Sequence, residues 1–234
     1  YAWMRPRLDR NHPDLARTYN SLGVVAWERG DIDRAIHFQT LAVEAWRAGS
    51  NRSLTAAGAY NLAMILHSVG KDVHALPLIR ESRQLRMQLF VERHELVGDS
   101  ERLHGEILAA LGDTAAARQA LQDAVRLTRG GYGVAHSHTR RAEIALARFE
   151  AAQDDPAALL RLRGWAHYEG DDLEQRKAAW LAAAYAAERD CPAQPTQART
   201  GLDAILAQIQ LALPEGGALP REIELIRAGC GRNP

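Results

Sequence analysis

Apolar residues recur every three to four positions along most of the chain, and no segment alternates strictly between apolar and polar residues. This period is that of an amphipathic helix, because residues three and four apart lie on the same helix face. The sequence therefore predicts an all-α fold without strands. The stripe is clearest between Gly30 and Gly49, where it comprises Ile32, Ala35, Ile36, Ala42, Val43 and Trp46.

A pattern of small residues repeats three times in the first half of the chain, at intervals of about 40 to 42 residues. Each copy has a small residue seven positions before a glycine and an alanine five positions after that glycine. The three sets are Gly23, Gly30 and Ala35; Ala63, Gly70 and Ala75; and Gly105, Gly112 and Ala117. Such internal repetition is typical of solenoid proteins.

The spacing within each copy predicts a helical hairpin. The small residue lets a neighbouring helix approach closely, and the glycine provides the left-handed conformation that ends the first helix. The Asp or Lys-Asp that follows opens the second helix, where an acidic residue is favourable. A single hairpin cannot bury its apolar face, so we expect consecutive hairpins to stack into one core.

These features resemble tetratricopeptide repeats, in which an aromatic residue, Leu-Gly, a turn glycine and later alanines follow in this order. Here they are Tyr19, Leu22-Gly23, Gly30, Ala35 and Ala42. The spacing exceeds the common 34 residues and is similar to the kinesin-light-chain variety, whose His-Pro-acid opening Asn11-His12-Pro13-Asp14 also fits. The resemblance implies a right-handed superhelical solenoid of antiparallel helix hairpins with C-terminal capping helices.

The repeat pattern divides the chain into three parts within one domain. Residues 12–169 are expected to form four hairpins, the fourth degenerate, with its turn at Asp154-Asp155-Pro156. Residues 170–234 are expected to form a degenerate fifth hairpin and a closing helix. Residues 1–11 read as the remnant of a preceding helix, and such an open end could associate with another copy; the oligomeric state stays open. The helices expected after the fourth turn are 157–168, 173–189, 196–213 and 220–228.

Composition and charge exclude several classes of function. The 234 residues include 29 Lys and Arg and 29 Asp and Glu, so the net charge is zero, whereas nucleic-acid binders usually carry a basic excess. No apolar run approaches the length of a membrane span. We therefore expect neither nucleic acid nor a membrane as a partner, and the default location is cytoplasmic.

No recognisable catalytic or cofactor motif is present. Gly130–Gly133 lacks the context of a phosphate-binding loop and reads as an interhelical loop, and the nine histidines have no metal-ligand spacing. Cys191 and Cys230 are too few for a disulfide framework. Cys191, beside Pro192, could be a reactive thiol, and Cys230 is interpreted as incidental. We expect no enzyme activity, no cofactor and no metal.

The tetratricopeptide resemblance also implies a binding face, formed by the first helices of the hairpins, that accepts an extended peptide or a partner helix. The corresponding positions and their neighbours are Arg17, Asn20, Val24, Trp27, Tyr60, Asn61, Met64, His67, Arg102, Glu106, Arg141 and Arg148. The asparagines can bind a peptide backbone, the aromatic residues and methionine can anchor apolar groups, and the arginines favour an acidic ligand or a terminal carboxylate. Trp27 fits a core position equally well.

The sequence therefore predicts a non-catalytic protein-interaction module that binds a peptide or partner protein in a concave groove. The resemblance places such modules in larger bacterial signalling or regulatory proteins. The alternatives are a regulatory domain that senses a peptide or small ligand, and an enzyme with an unrecognised site within residues 157–234.

Overall fold

The structure, a computed structural model, describes residues 13–90, 95–214 and 216–231, and these contain helices, turns and loops but no strand. The all-α prediction is confirmed. The predicted helix remnant in residues 1–11, and Asn11 and His12 of the predicted repeat opening, lie outside the described residues. The helices are α1 (Pro13–Glu28), α2 (Ile32–Ala48), α3 (Arg52–Ser68), α4 (Asp72–Leu89), α5 (Glu95–Ala110), α6 (Thr114–Gly131), α7 (Ser137–Ala152), α8 (Pro156–Trp165), α9 (Leu173–Asp190), α10 (Pro195–Ala212) and α11 (Ala218–Gly229).

The chain divides into two compact units, Tyr1–Gly131 and Tyr132–Pro234, which we call unit 1 and unit 2. Unit 1 contains three antiparallel hairpins, α1–α2, α3–α4 and α5–α6, which stack through α2 against α3 and α4 against α5. Unit 2 contains the fourth hairpin, α7–α8, together with α9, α10 and α11.

The turns of unit 1 form as the sequence predicts. Gly30, Gly70 and Gly112 have φ angles of 80°, 70° and 82°, the left-handed conformation that glycine adopts without strain. The side chain of Asp31 then accepts a hydrogen bond from the Arg34 backbone N–H at 3.3 Å and caps α2. Each hairpin therefore reverses direction through a locally encoded turn.

The predicted close approach of the two helices is also confirmed in hairpins one and three. A Cβ at Gly23 would lie 2.8 Å from Cγ of Gln39, and one at Gly105 would lie 2.7 Å from Cγ of Leu121. The alanines five positions after the turn glycines are fully buried: they are Ala35, Ala75 and Ala117. Larger side chains at these places would separate the helices.

Unit 2 is organised around α9, which contacts α7, α8, α10 and α11. Its alanine-rich sequence lets these neighbours pack closely, and the larger Trp180 and Tyr185 fill the remaining space. The helices predicted after residue 170 are confirmed to within two residues. Helix α8 ends at Trp165 rather than at the predicted Tyr168, where Ala166 closes its last turn through hydrogen bonds to Leu162 and Arg163.

The interpretation of the two cysteines is wrong. Cys191 and Cys230 form a disulfide, and both are buried beside Ala187 and Ala198. The bond joins the end of α11 to the turn between α9 and α10, so Cys191 is not a reactive thiol and Cys230 is not incidental. No helix in the described part of the chain is long and apolar enough to cross a membrane.

Candidate functional site

The predicted binding positions of unit 1 follow one side of each first helix, because they are spaced three or four residues apart, with Asn61 adjacent to Tyr60. We call this set the first-helix face of unit 1. It includes positions on α1, α3 and α5, and the residues are Arg17, Asn20, Val24, Tyr60, Asn61, Met64, His67, Arg102 and Glu106.

Tyr60 and Arg102 connect α3 and α5 across this face. Nη2 of Arg102 donates a hydrogen bond to the Tyr60 hydroxyl at 3.0 Å. The guanidinium of Arg86, from α4, lies 4.7 Å from the centre of the Tyr60 ring, in a cation–π arrangement. Two positions that are 42 residues apart in the sequence are thus brought into contact, which fixes the spacing between hairpins two and three.

The charge of Arg102 is compensated within the protein. Its Nη1 donates to both carboxylate oxygens of Glu106, at 2.8 and 2.7 Å. Burial alone would lower the pKa of Arg102, but Glu106, Tyr60 and Asp99 raise it well above its ordinary value. Arg102 therefore stays protonated, yet it attracts an acidic ligand less than an unpaired arginine would.

Asn20 and His67 also bind groups of their own hairpins. Oδ1 of Asn20 accepts a hydrogen bond from Nε2 of Gln39 at 3.2 Å, and Gln39 is fully buried. Nδ1 of His67 lies 2.5 Å from Oδ1 of Asp72, at the start of α4. These side chains support the hairpins, and only their remaining hydrogen-bonding capacity is available to a partner.

The remaining residues of this face differ in exposure. Val24 is 40% exposed and Arg17 is exposed, whereas Asn61 and Met64 are half-buried and Met64 packs against the apolar core of the second hairpin. Trp27 is only 7% exposed, which selects the core position of the two that the sequence left open. Among the predicted positions on α1, the exposed apolar side chain is therefore that of Val24.

The two predicted positions of unit 2, Arg141 and Arg148, lie on α7. Arg141 is exposed, whereas Arg148 contacts residues of other helices. Arg148 donates two hydrogen bonds of 3.0 Å to Glu188 of α9 and lies 4.0 Å from the centre of the Tyr185 ring. Glu222 of α11 lies 3.9 Å from Arg148, so a carboxylate from each of two other helices surrounds this guanidinium.

A histidine side chain caps the start of α7. Nδ1 of His136 accepts a hydrogen bond from the backbone N–H of His138 at 3.2 Å and so caps the helix. The Tyr132 ring stacks on His136 at 4.5 Å. Among the described residues, no group of three or more His, Cys, Asp or Glu is arranged to hold a metal.

Sequence reasoning missed Arg86, which is buried on the second helix α4 rather than on a first helix. Its Nη1 donates to the Leu96 carbonyl at 2.8 Å and to Oγ of Ser100 at 3.0 Å, so it ties α4 to the start of α5. The available signal was the alignment of Ser82 with Arg86 on the otherwise buried face of α4. Polar residues at core positions require partners.

Comparison with known proteins identifies the repeats. The family model described as tetratricopeptide repeat matches residues 54–130. No curated protein sequence matches the chain. The resemblance predicted from the repeat pattern is therefore confirmed, directly by sequence over residues 54–130.

Solved structures extend the likeness of fold over most of the chain. Two crystal structures show nearly identical TPR-like repeats of a kinesin light chain from Podosopora anserina, and each is similar to this chain with a TM-score of 0.59. The first is 16% identical and covers 87% of this chain, which covers 98% of it. The second is 15% identical and covers 95% of this chain, which covers 99% of it. The apo form of RapI is similar with a TM-score of 0.59 and 15% identity over 97% of this chain, which spans 66% of RapI. At these identities the likeness shows the all-α, tetratricopeptide-like fold.

Proposed function

We propose that this chain, whose residues 54–130 match tetratricopeptide repeats, is a non-catalytic protein-interaction module. We place the binding surface on the first-helix face of unit 1, for a peptide or a segment of a partner protein. The observation that carries the proposal is the contact between Tyr60 and Arg102, because it joins equivalent positions of successive hairpins into one surface. A surface continuous across hairpins suits an extended ligand better than a compact one.

The chemistry of this face favours a ligand with apolar and hydrogen-bonding groups. Val24 and the partly exposed Met64 offer apolar contacts, and Asn61 can both donate to and accept from a peptide backbone. Arg102 is paired with Glu106, so any attraction for a carboxylate on this face comes mainly from Arg17. We therefore propose that acidic groups of the ligand contribute less than its backbone and apolar side chains.

The wider setting follows from the same resemblance. We propose that the module serves in a larger bacterial signalling or regulatory protein, where it recruits a partner. A domain that senses a short peptide or small ligand is the alternative. The two differ in what raises the thermal unfolding midpoint of the chain: a folded partner in the first case and a small ligand alone in the second.

A substitution that changes the surface without removing a fold contact gives the sharpest test. Val24→Glu places a charge at a position that is 40% exposed, and Val73→Glu places the same charge at a valine of α4 that is 71% exposed and lies outside the first-helix face. Replacing both Asn20 and Tyr60 by alanine would test the face less cleanly, because each of these residues also hydrogen-bonds another side chain of the protein.

The experiment selects peptides from a displayed random library on the immobilised chain and compares the variants. We expect the original chain and Val73→Glu to enrich the same peptides, and Val24→Glu to bind them at least about tenfold more weakly. Equal binding by Val24→Glu would move the site away from this face. Enrichment of no peptide by the original chain would count against peptide recognition.

A further inference from the structure

Helix α11 is attached to the rest of unit 2 at both of its ends. At its start, Gly216 and Gly217 lie between it and α10. At its end, Cys230 directly follows the helix and forms the disulfide with Cys191, which directly follows α9. A helix of 12 residues is marginal by itself in water, so the place of α11 depends on these attachments and on its packing.

The apolar packing of α11 is limited. Among its 12 residues, all of which the structure describes, Ile223 and Ile226 are buried, and Leu219 is partly buried. Leu225 is 63% exposed. Segments with few buried apolar side chains are the ones that open locally at low cost in free energy.

The polar contacts of α11 lie near the surface. The Tyr185 hydroxyl of α9 donates a hydrogen bond to Glu222, and Nε of Arg227 donates to Asp203 of α10. The side chains of Arg227 and Asp203 are 49% and 52% exposed, so water and salt weaken this ion pair. These contacts orient α11 but add little to its attachment.

The attachment at the start of α11 permits rotation. Gly216 and Gly217 have φ angles of 84° and 134°, which glycine adopts without strain. Gly217 also occupies the N-cap position, where it has no side chain to accept a hydrogen bond from the first turn. Two successive glycines before an uncapped helix start form a pivot.

The disulfide restricts rotation about this pivot. It holds the end of α11 against the turn between α9 and α10, and it removes the freedom that the chain would have without the bond. Cys191 is only 7% exposed and Cys230 only 2%. A reductant therefore reaches the sulfurs most readily when the last turn of α11 opens.

We propose that the bond between Cys191 and Cys230 is a redox latch, and that its reduction releases α11 from α9 and α10 by rotation at Gly216 and Gly217. Release uncovers the part of the apolar core of unit 2 that α11 covers in the latched state. Oxidation of the two thiols closes the latch again.

The reductant is a dithiol, either a small molecule or a dithiol protein. One of its thiolates attacks a sulfur of the protein disulfide, breaks the S–S bond and forms a mixed disulfide. Its second thiolate then displaces the remaining cysteine sulfur. Two electrons and two protons pass from the dithiol to the protein, so the products are two protein thiols and the disulfide of the reductant.

The latch is separate from the proposed binding face. All of its residues belong to unit 2, whereas the first-helix face lies on unit 1. Each proposal can therefore fail without the other.

The test compares amide hydrogen exchange of the full chain with and without dithiothreitol, resolved by mass analysis of peptides. We expect reduction to speed exchange in α11 at least about tenfold, and to leave unit 1 unchanged. Unchanged exchange in α11 would overturn the proposal. An equal increase throughout unit 2 would overturn it too, because the bond would then stabilise the whole unit.

Two controls separate the bond from the chemistry of the reductant. In Cys191→Ala with Cys230→Ala, α11 should exchange fast with or without dithiothreitol. In the original chain whose reduced thiols have been bridged by one methylene group, which a dithiol cannot cleave, α11 should stay protected in dithiothreitol. Fast exchange in the bridged chain would show that loss of the covalent link is not the cause.

A matched pair of variants tests whether opening of α11 admits the reductant. Ile226→Val weakens the packing of the last turn, and we expect the bond to be reduced about threefold faster at a fixed dithiothreitol concentration. Leu225→Val makes a change of similar size at an exposed position and should leave the rate unchanged. Equal rates in both variants would contradict the coupling between α11 and the bond.

Discussion

Arg148 of α7 and Glu188 of α9 form a two-point salt bridge across 40 residues of sequence, with both N–O distances at 3.0 Å. The guanidinium carbon also lies 4.0 Å from the centre of the Tyr185 ring, in a cation–π contact. Burial alone would lower the pKa of Arg148, but Tyr185 and Glu188 raise it above its ordinary value, so it stays charged. An arginine predicted to face a ligand therefore holds two helices of unit 2 together.

Removing this charge should destabilise unit 2. We expect Arg148→Gln to lower the free energy of unfolding by about 1 kcal/mol, because the salt bridge is partly exposed and the cation–π contact adds a similar small contribution. Arg163→Gln, which breaks an exposed pair with Asp190, should lower the free energy of unfolding by only about 0.3 kcal/mol. Urea denaturation of both variants measures the difference; equal losses would show that the Tyr185 contact contributes nothing.

The disulfide should contribute more than any single ion pair. It closes a loop of 39 residues, so we expect Cys191→Ala with Cys230→Ala to lower the free energy of unfolding by about 2–4 kcal/mol. The measurement is thermal unfolding with and without a thiol reductant. The original chain should respond to reductant and the double variant should not; a chain whose midpoint is the same under both conditions would contradict the bond's role.

The same bond bears on where the protein works. Disulfides persist mainly in oxidising compartments, which argues against the cytoplasmic location that the sequence favours by default. Rapid alkylation of thiols in intact cells, followed by mass analysis, reports the state of Cys191 and Cys230. We expect the pair to escape alkylation until a reductant is added; two alkylated cysteines would restore the cytoplasmic prediction.

Gly105 should not tolerate a methyl group. Its Cβ would lie 2.7 Å from Cγ of Leu121 and 3.1 Å from the Leu121 backbone nitrogen, so Gly105→Ala should cost about 1–3 kcal/mol of stability. Gly201 lies inside α10 with no atom within 4 Å of the Cβ position, and Gly201→Ala should gain about 0.5–1 kcal/mol through helix propensity. Chemical denaturation checks both signs, and a gain at both positions would mean that the helices of hairpin three separate easily.

Asp123 gives a stability contribution that depends on pH. Burial on its own would raise its pKa, but hydrogen bonds from Gln119 and Arg126 lower it below the ordinary value of 3.8. A carboxyl with a lowered folded-state pKa stabilises the fold above its unfolded pKa, and this contribution is lost as the pH falls through the folded value. Asp123→Asn should therefore be less stable than the original chain at pH 7. The two chains should be equally stable below the folded-state pKa of Asp123.

Unfolding curves of the original chain and Asp123→Asn, recorded at intervals from pH 7 to about pH 2, follow this difference. Gln119→Ala in the original background serves as a control that keeps the carboxyl but removes one donor. A difference between the two chains that does not change with pH would show that the carboxylate charge is not responsible.

The predicted binding positions show what can and cannot be inferred by counting residues along the repeats. Counting from the small residue of each hairpin places Tyr60 and Arg102 at equivalent positions, and the structure does bring them together. The same counting treats Trp27 like an exposed position, although it is buried, and it cannot reveal that Arg102 is paired with Glu106. Whether these residues bind a partner stays a prediction.

The helices and their turns can be predicted from the sequence, because they depend on residues that are close together in the chain. Gly30, Gly70 and Gly112 adopt the left-handed conformation that ends a helix. The period of apolar residues determines which side of each helix is buried. The partners of the long side chains and of the cysteines depend instead on how whole helices pack against one another. Cys191 pairs with Cys230, and Arg148 pairs with Glu188, across about 40 residues of sequence. Such residues meet only where α9 packs against α7 and α11.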